Sequence, residues 1–487
     1  MASELLAGYP LTHLYDEMHT AEGLPRTEYR RVHRLLSGLT RLEMAQRHDL
    51  AQRNFRNHGI TFTVYQDDQG IEKIFPFDLV PRIITARTWQ RLEAGLRQRV
   101  QALNLFLEDV YGARRILRDR AIPAEVVLSS RLFRRELCGF PFPHGIHCHI
   151  AGIDLVRDEK GEFRVLEDNL RTPSGVSYML ANRQILKRVF PELFATYRVR
   201  AVEGYTHQLL TNLRWLAQAQ VDDPVVAILT PGIHNSAYFE HVYLAKQMGV
   251  ELVEGSDLMV DGDRVFTRTT TGLRQVHVLY RRVDDDWMDP VHGRSDSVLG
   301  TPGLMNAYRA GGVIIASAPG NGVADDKAVY ALMPRIIRYY LGEDPILANV
   351  TTYLCMFDDD RRYVLEHLPE MVVKSVGESG GYGMLIGPES TKARQERFRR
   401  RILAEPRRYV AQPVVGLSVQ PAFDGRGLVP RHQDLRPFVL MGEDITVTPG
   451  GLTRVALRKG SLVVNSSQGG GSRDTWVLAA EGQRAEA

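Results

Sequence analysis

The chain has 487 residues, more than one hydrophobic core usually organises, so two or three domains are expected. Its 61 basic and 58 acidic residues give a formal net charge of +3, which argues against a nucleic-acid binder with its clustered basic surface. Three widely spaced cysteines do not make a disulfide framework. No stretch approaches the ~18 apolar residues of a membrane span, and the N-terminal segment does not resemble a secretory signal. We therefore expect a cytoplasmic protein without nucleic-acid or membrane partners.

The first third of the chain contains two kinds of pattern. Apolar residues recur every three or four positions over much of 26–120, which predicts mostly helix there, with one helix ending near Gly112. From Gly145 to Asn169 the pattern changes, and HCHIAGIDLV and FRVLEDN are typical of two short strands. The turn DEKGE between them contains Gly161, which suits a hairpin.

The remaining segments alternate strand and helix and then become richer in strands. PVVAILTPG at 224–232, the helix and strand that follow it, and GGVIIASAPG at 311–320 predict an α/β layer around a parallel sheet. Beyond Lys327, one mixed sheet is predicted, with a helix at TKARQERFRRRILAEP. Its strands would be MVVKSVGESGGYGML, RYVAQPVV, LRPFVLM and LTRVAL, and GSRDTWVL predicts a last short strand.

Three oxygen-bearing side chains stand out in the predicted hairpin. Asp154 lies on its first strand, and Glu167 and Asn169 share one face of its second strand, because they are two residues apart. Two carboxylates and an amide oxygen suit Mg²⁺, which takes one or two carboxylates and leaves other positions to water and phosphate. The alternative is a solvated acidic rim of the hairpin.

A glycine-rich segment follows the predicted strand MVVK. Lys374 ends that strand, and GESGGYG at 377–383 follows, including Glu378, Gly380 and Gly381. Glycines let backbone N–H groups approach phosphates, and a nearby lysine supplies positive charge. The segment matches neither a Walker A sequence nor a Rossmann fingerprint. A flexible surface hairpin is the alternative.

Four basic residues are candidates for contacts with an anion. Lys327, Arg436 and Arg454 each lie at the edge of a predicted strand or helix, where a surface charge is the alternative. Arg171 lies in the loop RTPSG directly after Asn169, so it adjoins the predicted metal site. His147 and His149 could form a zinc pair with Cys148, but histidines two apart without a clear third ligand are usually packing residues. No GxSxG or catalytic-cysteine context appears.

Together these segments resemble the ATP-grasp superfamily. GIDLVRDEKGEFRVLEDNLRTPSG is similar to its magnesium hairpin, and MVVKSVGESGGYGM to its lid strand and phosphate-covering loop. RYVAQPVV stands where the adenine linker would be, and QDLRPFVLMGEDITVTPGGLTRVAL resembles the basic strand pair that follows. The magnesium hairpin comes first here instead of last. This order resembles the circularly permuted ATP-grasp family, which is related in fold to glutathionylspermidine synthetase.

The resemblance implies a role for each matching residue. Asp154, Glu167 and Asn169 would hold Mg²⁺, and Arg436 and Arg171 would be catalytic. One departure is that the adenine linker reads Gln412-Pro413 where glutamate is usual. The residues expected to bind ATP are Lys327, Lys374, Glu378, Gly380, Gly381, Gln412, Val414, Val415 and Arg454.

The resemblance also implies a fold and a reaction. We expect an α+β protein with a circularly permuted ATP-grasp fold: a helical N-terminal region with the metal-binding lobe at 1–220, a Rossmann-like α/β substrate domain at 221–325, and a lid and nucleotide-binding lobe at 326–487. With ATP and Mg²⁺ it would join a carboxylate, such as an amino acid or short peptide, to an amine through an acylphosphate, releasing ADP and phosphate. Arg281 and Arg282 are the candidate carboxylate clamp, with a salt-bridged turn involving 284–286 as the alternative.

Three other functions are weighed against the ligase. A phosphotransferase on the same scaffold would form no amide. A non-catalytic nucleotide-binding partner subunit would not need an intact set of Asp154, Glu167 and Asn169. A dinucleotide oxidoreductase is disfavoured because PVVAILTPG lacks GxGxxG.

Overall fold

A computed structural model describes residues 5–6, 8–66, 69–377, 383–457, 464, 470–480 and 482. Among these, no helix has both the length and the apolar character needed to cross a membrane. The α-helices are α1 Arg30–Gly38, α2 Arg41–Asn57, α3 Ala86–Tyr111, α4 Arg115–Arg118, α5 Ala124–Leu128, α6 Val176–Val189, α7 Pro191–Phe194, α8 Tyr205–Trp215, α9 Tyr238–Met248, α10 Leu304–Arg309, α11 Lys327–Ala331, α12 Met333–Leu341, α13 Asp358–Glu366 and α14 Lys392–Ala404.

The strands lie in several small sheets. They are β1 Thr61–Gln66, β2 Gln69–Ile74, β3 Phe77–Ile84, β4 Ile150–Arg157, β5 Phe163–Asn169, β6 Val226–Leu229, β7 Glu251–Val253, β8 Leu258–Asp261, β9 Arg264–Thr269, β10 Gly272–Val276, β11 Val278–Arg281, β12 Ile314–Ala316, β13 Tyr353–Leu354, β14 Met371–Ser375, β15 Leu385–Ile386, β16 Tyr409–Pro413, β17 Val419–Phe423, β18 Leu428–His432, β19 Phe438–Met441, β20 Ile445–Val447, β21 Thr453–Val455 and β22 Gly471–Val477.

The region predicted to be mostly helical contains three strands. The long helix is confirmed as α3, which begins after Thr85, whose hydroxyl accepts from the Thr88 backbone N–H, and ends at Gly112. However, β1, β2 and β3 lie between α2 and α3. Every residue of β3 is buried, and it pairs in parallel with β22. Its sequence FDLVPRII has both faces buried, with Asp78 and Arg82 among the buried residues, so it lacks the apolar–polar alternation by which a half-exposed strand is recognised.

The predicted parallel layer is confirmed. Its strand order is β12-β11-β6-β7, and each neighbouring pair is parallel. The chain leaves β6 through α9 to reach β7 on one side, and later places β11 on the other side of β6. The strand order therefore reverses direction at β6.

The single mixed sheet predicted beyond Lys327 is wrong, because its strands belong to three sheets. β14 and β16 lie in the antiparallel sheet β13-β16-β14-β15. β19 joins the hairpin of β4 and β5 in the sheet β20-β19-β4-β5, and β21 joins β22 and β3. The helix predicted between the first two strands is confirmed as α14. Pairings such as β19 with β4 join segments that are far apart in the chain, as with Phe438 opposite Gly152. The pattern of residues within one segment does not specify such a pairing.

The predicted hairpin is confirmed as β4 and β5, and one residue anchors it to the core. Asp154 lies opposite Glu167, with an irregularity in the register directly after Asp154. Asp168 points the other way, as strand alternation requires, and both its oxygens accept from Arg99 of α3 at 2.6 and 2.7 Å. This buried ion pair fixes which face of β5 turns towards α3. The other face is left to carry Glu167 and Asn169.

Candidate active site

One cavity of about 230 Å³ is lined by most of the candidate residues from the hairpin and from the basic strand segments. β4 and β5 supply its acidic side, and the loop after β5 supplies one wall, which includes Arg171. Arg436, just before β19, and Arg454, on β21, supply the other arginines. The predicted residues that line it are Asp154, Glu167, Asn169, Arg171, Arg436 and Arg454. The structure thus brings together residues up to 300 positions apart in the chain.

Asp154 is held between two arginines. Its carboxylate accepts from Arg436 at 2.6 and 2.9 Å and from Arg454 at 2.7 Å. Arg454 also pairs with the buried carboxylate of Asp434. Burial alone would raise the pKa of Asp154, but the two guanidinium groups outweigh it and hold that pKa well below its usual range. Asp154 is therefore a permanent anion in the wall of the cavity.

Glu167 connects this cavity to the predicted nucleotide residues. Its carboxylate lies 2.9 Å from the Lys327 ammonium, and Lys327 is the first residue of α11. The Lys327 backbone N–H donates to the Val376 carbonyl at 3.1 Å, which places α11 beside the end of β14. Glu167, Lys327 and the end of β14 are thus linked by consecutive contacts, although Lys327 and β14 do not themselves line the cavity.

Lys374 lies on β14 beside this group. Its ammonium donates to the Gln412 side-chain oxygen on the neighbouring β16 at 2.7 Å. Burial lowers the pKa of Lys374 to about 8, with Glu167 opposing the shift and Lys327 adding repulsion. Part of the Lys374 population is thus neutral near pH 8.

The predicted adenine linker lies wholly within the described residues, whereas the glycine-rich segment is described only in part. Gln412 is engaged at both ends of its amide, since its nitrogen donates to the Thr352 hydroxyl at 2.9 Å. Val414 donates its backbone N–H to the Glu370 carbonyl at 3.3 Å, and Val415 packs against a small apolar cluster. Glu378, Gly380 and Gly381 lie outside the described residues. The nucleotide roles of all these residues stay predictions.

The oxygen-bearing side chains of the hairpin, Asp154, Glu167 and Asn169, fit the ligand preference of Mg²⁺. The three differ in how far their oxygens are already engaged by other residues. The Asn169 amide nitrogen donates to the Gly152 carbonyl at 3.2 Å, so its side-chain oxygen is the group suited to a cation. Glu167 contacts Lys327 through one carboxylate oxygen. Asp154 would exchange an arginine contact for a metal bond, because arginines already engage both its oxygens. Oxygen donors beside arginines suit a metal that arrives with phosphate groups.

The two histidines of the alternative zinc pair differ in their contacts: His147 is engaged by Glu108, whereas both ring nitrogens of His149 are buried without a hydrogen-bond partner in the described part of the chain. The His147 ring approaches Glu108 at 2.8 Å, and burial lowers the pKa of His149 to about 3. No group of three or more His, Cys, Asp and Glu side chains is arranged for a metal ion within the described residues. The contacts of His147 agree with a packing role.

Arg171 lines the cavity beside two acids, of which the sequence analysis named Asp284 only as part of a salt-bridged turn and did not name Asp325. It donates to Asp325 at 2.7 Å and lies 3.6 Å from Asp284, and both aspartates line the cavity. Asp325 lies two residues before Lys327 in ADDK, and Asp434, a further buried acid of this network, lies two residues before Arg436 in QDLR. Each of these two aspartates could have been found from the sequence because it lies two residues before a basic residue that was already a candidate for anion binding. Their partners, however, come from distant segments.

Arg281 and Arg282, predicted to clamp the substrate carboxylate, do not line the cavity. Arg281 is fully buried, contacts Asp285 at 2.7 Å and donates to backbone carbonyls including that of Ser317. Arg282 contacts Glu240 at 2.9 Å and donates to the Pro173 carbonyl. The contact of Arg281 with Asp285 matches the salt-bridged alternative, whereas Arg282 pairs outside that turn, and the contacts of both arginines agree with a structural role. The physical reason is that both lie at the buried end of β11, where charges need internal partners.

We predict that Arg282→Ala destabilises the fold by about 3 kcal/mol, because it leaves the buried carboxylate of Glu240 without its cation. Urea unfolding measures this change. Arg274→Ala is the matched control, since Arg274 is exposed and lies 3.6 Å from Glu251. Its effect is expected within about 0.5 kcal/mol. A full-stability Arg282→Ala variant with impaired substrate binding would restore the clamp role.

Comparisons with known proteins agree on the family. The family model described as circularly permuted ATP-grasp type 2 matches residues 81–456. A Synechocystis protein is 53% identical over 474 residues, covering 97% of this chain and 98% of its own length. A Mycobacterium tuberculosis protein is 52% identical over 480 residues, covering 98% and 86%. A Frankia casuarinae protein with glutamate–cysteine ligase in its provisional name is 44% identical over 481 residues, and the matched part is 55% of its length.

The solved structures extend the likeness to the fold. A glutathione synthetase-like effector from Globodera pallida matches with a TM-score of 0.57 over 89% of this chain and 96% of that one. Its sequence identity is 12%, so this likeness concerns the fold alone. The predicted α+β class and circularly permuted ATP-grasp fold are confirmed. This chain belongs to the circularly permuted ATP-grasp family, type 2.

Proposed function

We propose that this protein is an ATP-dependent carboxylate–amine ligase that uses Mg²⁺. The observation that carries the proposal is the cavity in which Asp154, Glu167 and Asn169 face Arg436 and Arg454. Oxygen ligands for a metal and cations for phosphate oxygens are both present within one enclosure. The family and the name of the Frankia relative support a ligase in general. The choice of this particular reaction is ours.

In the proposed reaction, a substrate carboxylate oxygen attacks the γ-phosphorus of ATP, and the bond to the ADP oxygen breaks. The amine nitrogen then attacks the acyl carbon, phosphate leaves with its bonding electrons, and the nitrogen loses a proton. Arg436 and Arg454 would offset charge on the transferring group, and Lys327 and Lys374 would bind the other phosphates. Bound Mg²⁺ would supply further neutralisation of phosphate charge.

The deciding experiment measures ADP release from the full chain with ATP, Mg²⁺ and paired pools of carboxylates and amines. Mass spectrometry of the products distinguishes the candidates. An amide formed in step with ADP supports the ligase. A stable phosphorylated product without an amide supports the phosphotransferase instead. Nucleotide binding without turnover in any pool would favour the non-catalytic partner subunit.

We predict that ATP affinity falls as pH rises through about 8 because Lys374 loses its proton there. The charged form binds phosphate, so the loss appears on the alkaline side. Lys374→Gln is expected to bind ATP roughly tenfold more weakly at pH 7 and to lose this pH dependence. Calorimetry from pH 6.5 to 9 measures both effects. Lys374→Arg is the control, because its charge persists across that range. An unchanged affinity in Lys374→Gln would contradict the assignment.

A further inference from the structure

A second and larger cavity, of about 880 Å³, lies beside the candidate active site. Its walls come from the end of α2, one face of α6, the loop after β6 and one face of α9. On α9 the lining positions include Tyr238, Val242 and Lys246, which are four residues apart and share one helical face. This size falls in the range of roughly 300–1,000 Å³ that is typical of small-molecule sites.

The charge of the second cavity is positive. Arg188 and Lys246 line it together with His58 and His234, and none of its described lining residues is acidic. Neither Arg188 nor Lys246 forms an ion pair in the part of the chain that the structure describes. Arg188 has only weak neutral contacts, with the Asn54 side-chain oxygen at 3.2 Å and the His58 ring at 3.5 Å. Two basic side chains that have no ion-pair partner among the described residues are suited to an anionic ligand.

The walls also present apolar side chains to the open space of the cavity. Ile233 is 65% exposed and Val242 is 39% exposed, and both line this cavity. Tyr238 and Phe239 contribute aromatic surface beside them. Apolar surface lined with a few cations is typical of sites that bind small organic molecules. The ligand would therefore carry carbon skeleton as well as charge.

The position of this cavity in the fold connects it to the reaction. The loop after β6 follows the carboxyl end of the strand where the sheet order reverses, which is where ligands bind in open parallel sheets. Ser236 in that loop lines both cavities. Glu240 of α9 accepts from the backbone N–H groups of Gly175 and Ser177 at 2.7 and 3.1 Å. It thereby ties α9 to the loop that walls the active site.

We infer that the second cavity binds the acyl substrate as an organic anion with at least two carboxylates. One carboxylate pairs with Arg188 and Lys246, and the other passes Ser236 to reach the phosphoryl-transfer site. This inference rests on the proposed ligase function and adds the class of its substrate. It moves the carboxylate clamp from Arg281 and Arg282 to helix faces that the sequence did not single out.

The test uses calorimetry of the full chain without nucleotide, with glutarate, tricarballylate, butyrate and inorganic phosphate as probes. We expect glutarate or tricarballylate to bind more tightly than butyrate. Arg188→Gln and Lys246→Gln should each weaken that binding about fivefold. Lys187→Gln is the matched control on α6, because Lys187 pairs with Glu203 at 2.6 Å and does not line the cavity. The control should bind as the wild type does.

Three results would overturn the inference. The first is that neither glutarate nor tricarballylate binds. The second is that Lys246→Gln and Lys187→Gln weaken binding equally. The third is that phosphate binds more tightly than either polycarboxylate, which would indicate a phosphorylated ligand. ATP affinity, measured separately, should be unchanged in all three variants. If the wild type does not bind ATP, the proposed ligase function is wrong. If it forms the amide and Lys246→Gln forms it equally well, only this inference is wrong.

Discussion

Glu167→Gln is expected to reduce Mg²⁺-dependent ATP turnover by at least about a hundredfold while the protein stays folded. The glutamine keeps the size of the side chain but removes the charge that would hold the metal and that pairs with Lys327 at 2.9 Å. The metal and the lysine would both offset the negative charge of the phosphates, and this stabilisation is strongest in the transition state. Because the Glu167 side chain is 20% exposed, water can solvate the glutamine. ADP release and a thermal melt of the same preparation measure both expectations.

Glu162→Gln is the matched control for that experiment. Glu162 lies on the same hairpin, and its exposed carboxylate pairs with Arg91 at 3.0 Å, outside the active-site cavity. It should keep wild-type turnover and melting temperature. If Glu167→Gln turns over ATP as fast as the wild type, the hairpin is a structural element and the metal assignment is wrong. Unfolding of Glu167→Gln alone would lead to the same conclusion.

The hairpin could be predicted because its information is local. Strand alternation places Glu167 and Asn169 on one face of β5, and the turn at Gly161 has the positive φ of 80° that glycine adopts readily. Alternation also puts Asp168 on the opposite face. What local pattern could not supply is its partner, Arg99, because that ion pair depends on how α3 packs across the sheet.

The arginines show where prediction from sequence ends. Arg281 and Arg282 read as a candidate clamp because two adjacent cations at the end of a strand can face a ligand. In the fold that strand end is buried, and both guanidinium groups have internal partners. Conversely, Arg188 and Lys246 look like isolated surface charges in the sequence. Only the packing of α6 beside α9 brings both into one cavity.

Sheet membership depended on tertiary contacts in the same way. β14 and β16 are neighbours in one sheet and the sequence predicted both strands, yet β19 leaves them to pair with β4. That pairing carries Phe438 opposite Gly152 and sets Arg436, just before β19, beside Asp154. The order of motifs along the chain therefore indicated the family, whereas the pairing of distant strands created the cavity.

Asp154→Asn should behave differently from Glu167→Gln, because Asp154 is part of a buried charge network. We expect it to destabilise the fold by about 3–5 kcal/mol as well as to abolish turnover. Its carboxylate is almost fully buried against Arg436 and Arg454, and an asparagine leaves the excess positive charge uncompensated. Urea unfolding measures the loss. Asp344→Asn is the control, since Asp344 is 84% exposed beside Arg338 and should change stability by less than about 0.5 kcal/mol.

The pH dependence of unfolding provides an independent check on the Asp154 network. The folded-state pKa of Asp154 lies below the unfolded value of about 3.9, so its stabilisation is fully present above that unfolded value. As pH falls through the folded pKa the carboxylate takes up a proton, and the stabilisation is lost. The wild type should therefore lose stability steeply below about pH 4, and Asp154→Asn should lose less over the same interval. Parallel acid profiles for the two proteins would show that the arginines do not depend on Asp154 for their charge balance.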